Sequence, residues 1–444
     1  MSDSDLYSRL LFPKKQGYPL FYPQPFDTLP EAARKNGTEI GDVGVVTTYG
    51  AFDPIFNILR AGDDPANRFG VPLGFEQVVL GLDDIAALAL YHLPGSDISN
   101  TTINKKRLDI DAGIESNVFL PLGAGAVVEV STNSKQTGLL LLPDGASRWD
   151  LLPLRVFRDY ALKHGQSWYA FINGQLGRMI GSGDLYLVTG VTKSTSWSVA
   201  AVENQSGDGK VALKLKAAQV GNAGASCAWE WESASSSVNS GPRRRPGEES
   251  WRDNQTVFLR GFKVALRSTP LRRSPKVLAI VNAKWSDLTP KTSSTPFSQS
   301  RSRPSSVNGR SQSPPSTPSS GSPSDDEQSL DYVPNLYHPS GVVNEYLLDC
   351  APDAMIAVTH DDEWASVINE TDEEIPENHR LLSRISNRFN IEITSGTFIV
   401  TQGIFSDRLQ RVCALKLATL KSKIFMRPMM DHPSEHLHLS KTRG

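Results

Sequence analysis

The chain has 444 residues, a formal net charge of −2 and 39% hydrophobic side chains. A near-zero charge excludes a global field that would draw it to nucleic acid or an anionic membrane, so partners have to be read locally. The length predicts roughly two or three domains at about 150 residues each, and an apolar share under the usual ~45–50% predicts that part of the chain does not fold.

Three cysteines, Cys227, Cys350 and Cys413, lie far apart with no CxxC pair, which argues against a zinc knuckle and a disulfide framework. The N-terminus lacks the basic start and apolar core of a signal peptide, so a cytoplasmic or nuclear setting is expected. Asn36, Asn100 and Asn254 then match glycosylation triplets by chance. Phe75 to Leu93 is the most apolar window, and Asp83 and Asp84 interrupt it well short of a spanning helix of about 18 residues.

Taken in chain order, Gly41–Thr47 and Ala51–Leu59 flank Thr48-Tyr49-Gly50 and read as a hairpin. Further strands are expected at Phe75–Leu82, Ala87–His92, Leu108–Asp111, Val118–Leu122, Ala126–Thr132 and Thr137–Leu142. One helix is expected to start at an Asp150 cap and to stop at Gly165, with Leu151, Leu154, Val156, Phe157, Tyr160 and Ala161 on its apolar face. Strands resume at Leu185–Thr189, Trp197–Val202, Val211–Ala217, Ala228–Glu232, Thr256–Leu266 and Val277–Ala283, with a polar loop over Ser233–Ser250. No repeat of fixed period is visible.

From Lys291 to Asp325 the texture changes: 17 of 35 residues are Ser or Thr and six are Pro. Such a stretch cannot bury enough surface to offset about 1–2 kcal/mol per residue of chain entropy and is expected to be disordered. Beyond it, Ser340 caps a helix carrying Val342, Tyr346, Leu347 and Cys350, followed by a strand at Ala354–Thr359 and a short helix from Asp361 through Ile368. Leu381, Leu382, Ile385 and Phe389 mark another helix, and Ile391–Thr394 with Thr397–Thr401 another hairpin. Arg408 to Arg427 reads as a basic helix with Leu409, Cys413, Leu417, Leu420 and Ile424 on one face.

Chemistry concentrates at His360-Asp361-Asp362-Glu363-Trp364, just past a predicted strand end. Carboxylates beside an imidazole there could hold a divalent ion through His360, Asp361 and Asp362; the plainer reading is that Asp361 or Asp362 caps the next helix. His432, His436 and His438 form a terminal cluster better read as a flexible tail. Gly123-Ala124-Gly125 and Gly177, Gly181 and Gly183 precede strands rather than helices and read as turn glycines. Trp149, Trp168, Trp197, Trp229, Trp231 and Trp251 with Arg148, Arg178 and Arg243–Arg245 resemble a stacking surface in composition, and core packing explains them more simply. In the linker, Thr295, Ser313, Thr317 and Ser322 each precede Pro beside Arg301, Arg303 and Arg310 and are candidates for phosphorylation.

GYPLFYPQP (Gly17–Pro25), IGDVGVVTTYGAFDPIFN (Ile40–Asn57), GDLYLVTGVTKSTSW (Gly183–Trp197), NQTVFLRGFKVAL (Asn254–Leu266), HPSGVVNEYLL (His338–Leu348) and AVTHDDEW (Ala357–Trp364) together resemble an uncharacterised, lineage-expanded family of mushroom-forming basidiomycete fungi. That resemblance implies a cytosolic fungal setting and carries no activity, cofactor or catalytic residue. The strand phrase LYLVTGV (Leu185–Val191) invites comparison with gasdermin-like pore-formers, but one short β-phrase is far too weak to carry that resemblance.

The fold class expected is α+β: a large β-rich N-terminal region with few helices, a disordered Ser/Pro-rich linker and a small α+β C-terminal module. The divisions expected are an arm over 1–35, a β-rich region over 36–285 with an optional split near 145, a linker over 286–330, a module over 331–428 ending in the basic helix, and a tail over 429–444. The leading expectation is a non-enzymatic interaction or sensing protein with a phosphorylatable tether, a protein partner and no cofactor. The alternatives are a metal-dependent or hydrolytic enzyme using His360-Asp361-Asp362, and a protein acting at anionic membranes through Arg408, Arg411, Lys416 and Lys421.

Overall fold

A computed structural model describes residues 1–108, 127–203, 211–219, 227–232, 237–243, 253–267, 336–350, 354–394 and 397–401. All of them belong to one packed unit. The fold is α+β and rich in strands.

The chain opens with α1 (Asp3–Leu11), β1 (Tyr18–Pro19) and α2 (Glu31–Asn36), then forms the hairpin β2 (Asp42–Val46) and β3 (Phe52–Asn57) around the expected turn. A long hairpin follows. It runs out through β4 (Ile85–His92), β5 (Ser96–Ser99) and β6 (Asn104–Leu108) and returns through β7 (Val127–Thr132), β8 (Gln136–Leu142) and β9 (Ala146–Leu151). Pairing is antiparallel at each level, β4 with β9, β5 with β8 and β6 with β7. After α2, the next α-helix is α3 (Leu154–Tyr169), which leads into a second hairpin on the same plan. This one runs through β10 (Leu185–Ser194), β11 (Trp197–Glu203), β12 (Val211–Gln219), β13 (Cys227–Trp231), β14 (Val238–Gly241) and β15 (Gln255–Leu266).

The two hairpins lie side by side along their whole described length, β9 on β10, β8 on β11 and β7 on β12. The result is a four-stranded ribbon bent twice, so that it passes through three sheets. At the first bend Gly95 N–H donates to Leu142 O (2.8 Å), and the Ser194 and Ser196 hydroxyls donate to Gly145 O (2.6 Å) and Asp144 (2.5 Å).

The C-terminal segment joins this body. It contains α4 (Pro339–Cys350), β16 (Ile356–His360), α5 (Asp361–Ala365), α6 (Asn378–Arg388), β17 (Asn390–Thr394) and β18 (Thr397–Thr401). β16 pairs with β15 from Leu266 opposite Ile356 to Phe262 opposite His360, and β18 and β17 extend the sheet outward. The separate module expected over 331–428 is therefore corrected: its described part continues the main sheet. A Ser/Pro-rich stretch interrupts the chain, but which strand edges meet across it is a tertiary matter that composition does not encode.

Side-chain alternation sorts the layers. In the large sheet Leu185, Leu187, Phe262, Val264, Ile356 and Val358 face α3, while Tyr186, Val188, Ala265 and Ala357 face α4, α5 and α6. In the middle sheet Leu140, Leu142, Val199 and Ala201 pack under α1, and Leu139, Leu141 and Ala200 pack against Val128, Val130 and Leu215 of the third sheet. Leu6, Tyr7, Leu10 and Leu11 bury α1 on the ribbon, each worth about 1.5–3 kcal/mol of transfer free energy as an upper bound.

Several local expectations are corrected. Asp150 sits in β9, bonded to Arg148 and Arg260, and Pro153 precedes α3 instead. Gly165 lies inside α3, where a Cβ would come 2.5 Å from Ile356 Cδ1; the helix needs its smallness there, and Gly177 at φ +65° follows its last turn. Phe75–Leu82 is not a strand but a strap over the α3 face, held by Val78 N–H to Ile58 O (2.9 Å). Ser233–Ser250 includes β14, the N-terminal arm over 1–35 contributes α1 and β1 to the core, and no division falls near 145 among the described residues. Strand candidates Val118–Leu122 and Val277–Ala283, and Asp109–Asp111 of the Leu108–Asp111 candidate, lie outside the described residues. So do the basic helix with Arg408, Arg411, Lys416 and Lys421, and the tail histidines.

Candidate functional site

His360 ends β16 and caps α5. Its Nδ1 accepts from Asp362 N–H (3.1 Å), and its own N–H donates to the Glu363 carboxylate (3.0 Å), a capping box with imidazole in place of the usual hydroxyl. The other ring nitrogen lies 2.7 Å from Thr189 Oγ1, which in turn donates to Arg260 O. This chain of bonds sets the tautomer, with Nε2 protonated. Burial opposes charge on His360, but the Asp362 carboxylate, 3.3 Å from Nδ1, and the neighbouring carboxylates prevail and raise its pKa; the same side-chain contact holds Asp362 low. The helix-cap reading of this cluster is right in kind, with His360 as the cap residue rather than Asp361 or Asp362.

Asp361 turns the opposite way, into the core at 1% exposure. It accepts from the Tyr186 hydroxyl, Gly261 N–H (3.0 Å), Ser340 Oγ (3.2 Å) and Trp364 Nε1 (3.1 Å). His338 Nε2 stands 3.4 Å from the same carboxylate, and its Nδ1 accepts from Ser340 N–H (3.0 Å). The His338 ring stacks on Tyr18 at 5.4 Å and 3°, with Phe12, Tyr186 and Trp364 at its edges. Burial, helped by Lys263, pushes His338 well below its usual pKa and keeps it neutral. Burial likewise raises Asp361, against the pull of His360 and the hydrogen bonds it accepts.

Lys263, Arg260 and Asn344 beside them are satisfied internally. Lys263 donates to Asp184 O (3.0 Å) and lies over the Tyr186 ring, and burial lowers its pKa. Arg260 binds Asp150 (2.5 Å), Gln16 O (3.0 Å), Thr192 Oγ1 (3.1 Å) and Trp149 O (3.2 Å). Asn344 of α4 bridges Lys263 O (2.9 Å) and Thr359 (2.6 Å). This hub ties β10, β15, β16, α4, α5 and the N-terminal residues Phe12 and Tyr18 together, and its chemistry is that of a latch.

The metal expectation for His360, Asp361 and Asp362 meets a geometric obstacle. Both nitrogens of His360 are engaged, both oxygens of Asp361 accept bonds in the core, and the Asp362 side chain is 66% exposed on the other side. Among the described residues no group of three His, Cys, Asp or Glu side chains is disposed to hold a metal ion. Cys350 is buried. Trp168 and Trp197 are core residues, and Trp231 donates to Asn239 O (3.0 Å). Trp251, Gly123-Ala124-Gly125 and the linker positions Thr295, Ser313, Thr317 and Ser322 lie outside the described residues.

A second feature was not anticipated. β4 forms the outer edge of the ribbon at the first level and carries an apolar ridge: Leu88 is 51% and Leu90 52% exposed, joined by Ile85, Tyr91 and Leu93. The strap before it adds Leu73, Val79 and Leu82, all nearly fully exposed. Tyr160 of α3 fixes this strap through both backbone groups of Glu76 (2.7 and 3.3 Å), and Lys163 pairs with the Glu76 carboxylate (2.9 Å). Among the described residues no strand pairs with the outer edge of β4, and exposed apolar surface on such an edge marks a site that associates.

The third sheet is amphipathic in its own right. Leu215 is buried and Leu213 half-buried against Val128 and Val130, while Ala212, Lys214 and Lys216 alternate with them outward. Lys214 pairs with Glu129 and Lys216 with Glu230 across the strands. The sequence did carry this signal, as the alternation in VALKLKA.

Compared with protein-family models, curated proteins and solved structures, the chain matches none. Among the described residues no helix is long and apolar enough to cross a membrane, which leaves open what strands do.

Proposed function

We propose that this chain acts by association rather than catalysis, and that its target is a lipid bilayer into which the two long hairpins insert as a β-ribbon. The observation that carries this reading is the ribbon itself: four strand paths, paired side by side at three levels. A membrane-crossing strand needs about 9–11 residues, and the path from Ile85 to Leu108 alone exceeds that twofold once its bends open. In lipid every backbone group must be paired, so strands cross only as closed barrels. Within one copy the inner pairings already exist; β4, β5 and β6 on one side and β13 and β14 on the other would find partners in neighbouring copies.

The alternation in β12, apolar toward Leu213 and Leu215 and charged at Lys214 and Lys216, suits a strand with one lipid face and one wet face. Vesicle flotation and dye release test the reading, using phosphatidylcholine vesicles with and without phosphatidylserine. Both the intact chain and a chain cut at a protease site inserted between residues 300 and 320 are used, because β16 covers the β15 edge in the intact body. Flotation with release by either form supports insertion; neither form floating rejects it.

A second reading has its own observation. The apolar β4 edge, which no strand among the described residues pairs with on its outer side, suits the addition of a strand from a protein partner. Capture and flotation together separate the two: a partner captured by the natural chain and lost in Leu88→Lys, with neither form floating on vesicles, favours strand addition.

A further inference from the structure

We infer that α1 is a removable clamp that keeps the ribbon bent, and that the first residues after the tether lock it in place; this rests on the bilayer reading. α1 lies on the middle sheet across both hairpins. Its Leu6, Tyr7, Leu10 and Leu11 pack on Leu140 and Leu142 of the first hairpin and on Trp197, Val199 and Ala201 of the second. α1, together with Phe21, covers that face of the sheet. The opposite face is covered by the third sheet, a piece of the ribbon itself. To open the bends, the ribbon has to shed α1, since a straightened ribbon does not present the same concave surface to a nine-residue helix.

The fit is tight at one point. Gly138 of β8 lies directly under α1, where an added Cβ would come 2.8 Å from Leu10 Cβ. The other side of α1 meets the chain as it returns from the tether. Asp5 accepts from Tyr337 N–H (3.3 Å), the Arg9 guanidinium lies 4.0 Å over the Tyr337 ring, and Asp5 and Arg9 pair with each other (3.0 Å). Phe12, next along the chain, packs against both Tyr337 and His338. Residues 337–338 thus press on α1, while His338 is fixed in turn beside Asp361.

Two variants test the clamp. Gly138→Ala overpacks the α1 contact without touching the hub. Amides of α1 should then exchange about ten- to a hundredfold faster, while those of β10 and β15 keep their protection, and dye release should rise. In a background lacking the native cysteines, Leu10→Cys with Gly138→Cys joins α1 to β8 after a shift of about 1 Å into disulfide range. The oxidised form should release dye at least tenfold more slowly than the same protein reduced. Equal release in both redox states overturns the clamp, as does α1 exchanging in step with β10 in Gly138→Ala. If no form acts on vesicles, the bilayer reading fails, and the exchange comparison still decides whether α1 detaches first.

Discussion

Replacing Asp361 separates a structural hub from a mere helix-end charge. The carboxylate accepts from Tyr186, Gly261, Ser340 and Trp364 while 1% exposed. Hydrogen bonds to a charged group contribute about 1.5–3 kcal/mol each, and four around one acceptor do not add. Stripping one partner from a buried charged network costs about 3–5 kcal/mol, largely because the remaining donors are stranded. Asp361→Ala should therefore lose about 3–5 kcal/mol. Asp361→Asn should lose about 2–4 kcal/mol, since its amide points N–H groups at donors. A charge acting only on the α5 dipole predicts about 0.3–1 kcal/mol for either change. Urea unfolding followed by near-ultraviolet circular dichroism gives the loss, and hydrogen exchange in α4 and β16 shows whether the C-terminal segment loosens first. A loss under about 1 kcal/mol in both variants would refute the hub.

Glu363 is pushed up to about 7 by burial, from an ordinary value of 4.5. A raised carboxyl contributes stability that is fully present below about 4.5 and lost as pH rises through about 7. Glu363→Gln keeps the acceptor for His360 N–H, so it should match the natural protein near pH 4.5 and exceed it by about 1–2 kcal/mol at pH 8, the lower range allowing for partial exposure. A gap that does not widen with pH contradicts that assignment. Gly165→Ala, ordinarily worth about 1 kcal/mol in a helix, should instead destabilise by about 1–2 kcal/mol because Ile356 Cδ1 and Val264 Cγ1 occupy the space; Ile356→Val, which removes that Cδ1, should recover most of the loss in thermal melts. Leu88→Lys, at a half-exposed edge position, should leave stability within about 0.5 kcal/mol and reduce self-association in sedimentation velocity.

The local β signals were legible where a strand buries one face or both. Gly41–Thr47, Leu185–Thr189 and Thr256–Leu266 carry the β-branched and alternating residues that their registers use. The pairing of β9 with β10 and of β15 with β16 was not legible, because strand edges meet through backbone groups that every residue shares. Gly165 was misread for a related reason: glycine after an apolar run usually ends a helix, and here the same lack of a side chain admits Ile356. At the site, AVTHDDEW advertised its carboxylates but not their directions. His360 and Asp361 are neighbours in sequence, yet one caps a helix at the sheet end and the other faces the core. Tyr186, Ser340 and His338, which complete the hub, are separated from Asp361 by 175, 21 and 23 positions and carry no motif of their own.

The ribbon's fate at a bilayer is read most directly by placing an environment-sensitive fluorophore, one position at a time, along β12 from Ala212 to Lys216. On vesicles, labels at 213 and 215 should shift to a lipid-like emission quenched from within the bilayer, while labels at 212, 214 and 216 stay wet. Emission that stays the same with and without vesicles at all five positions would contradict insertion of the hairpins.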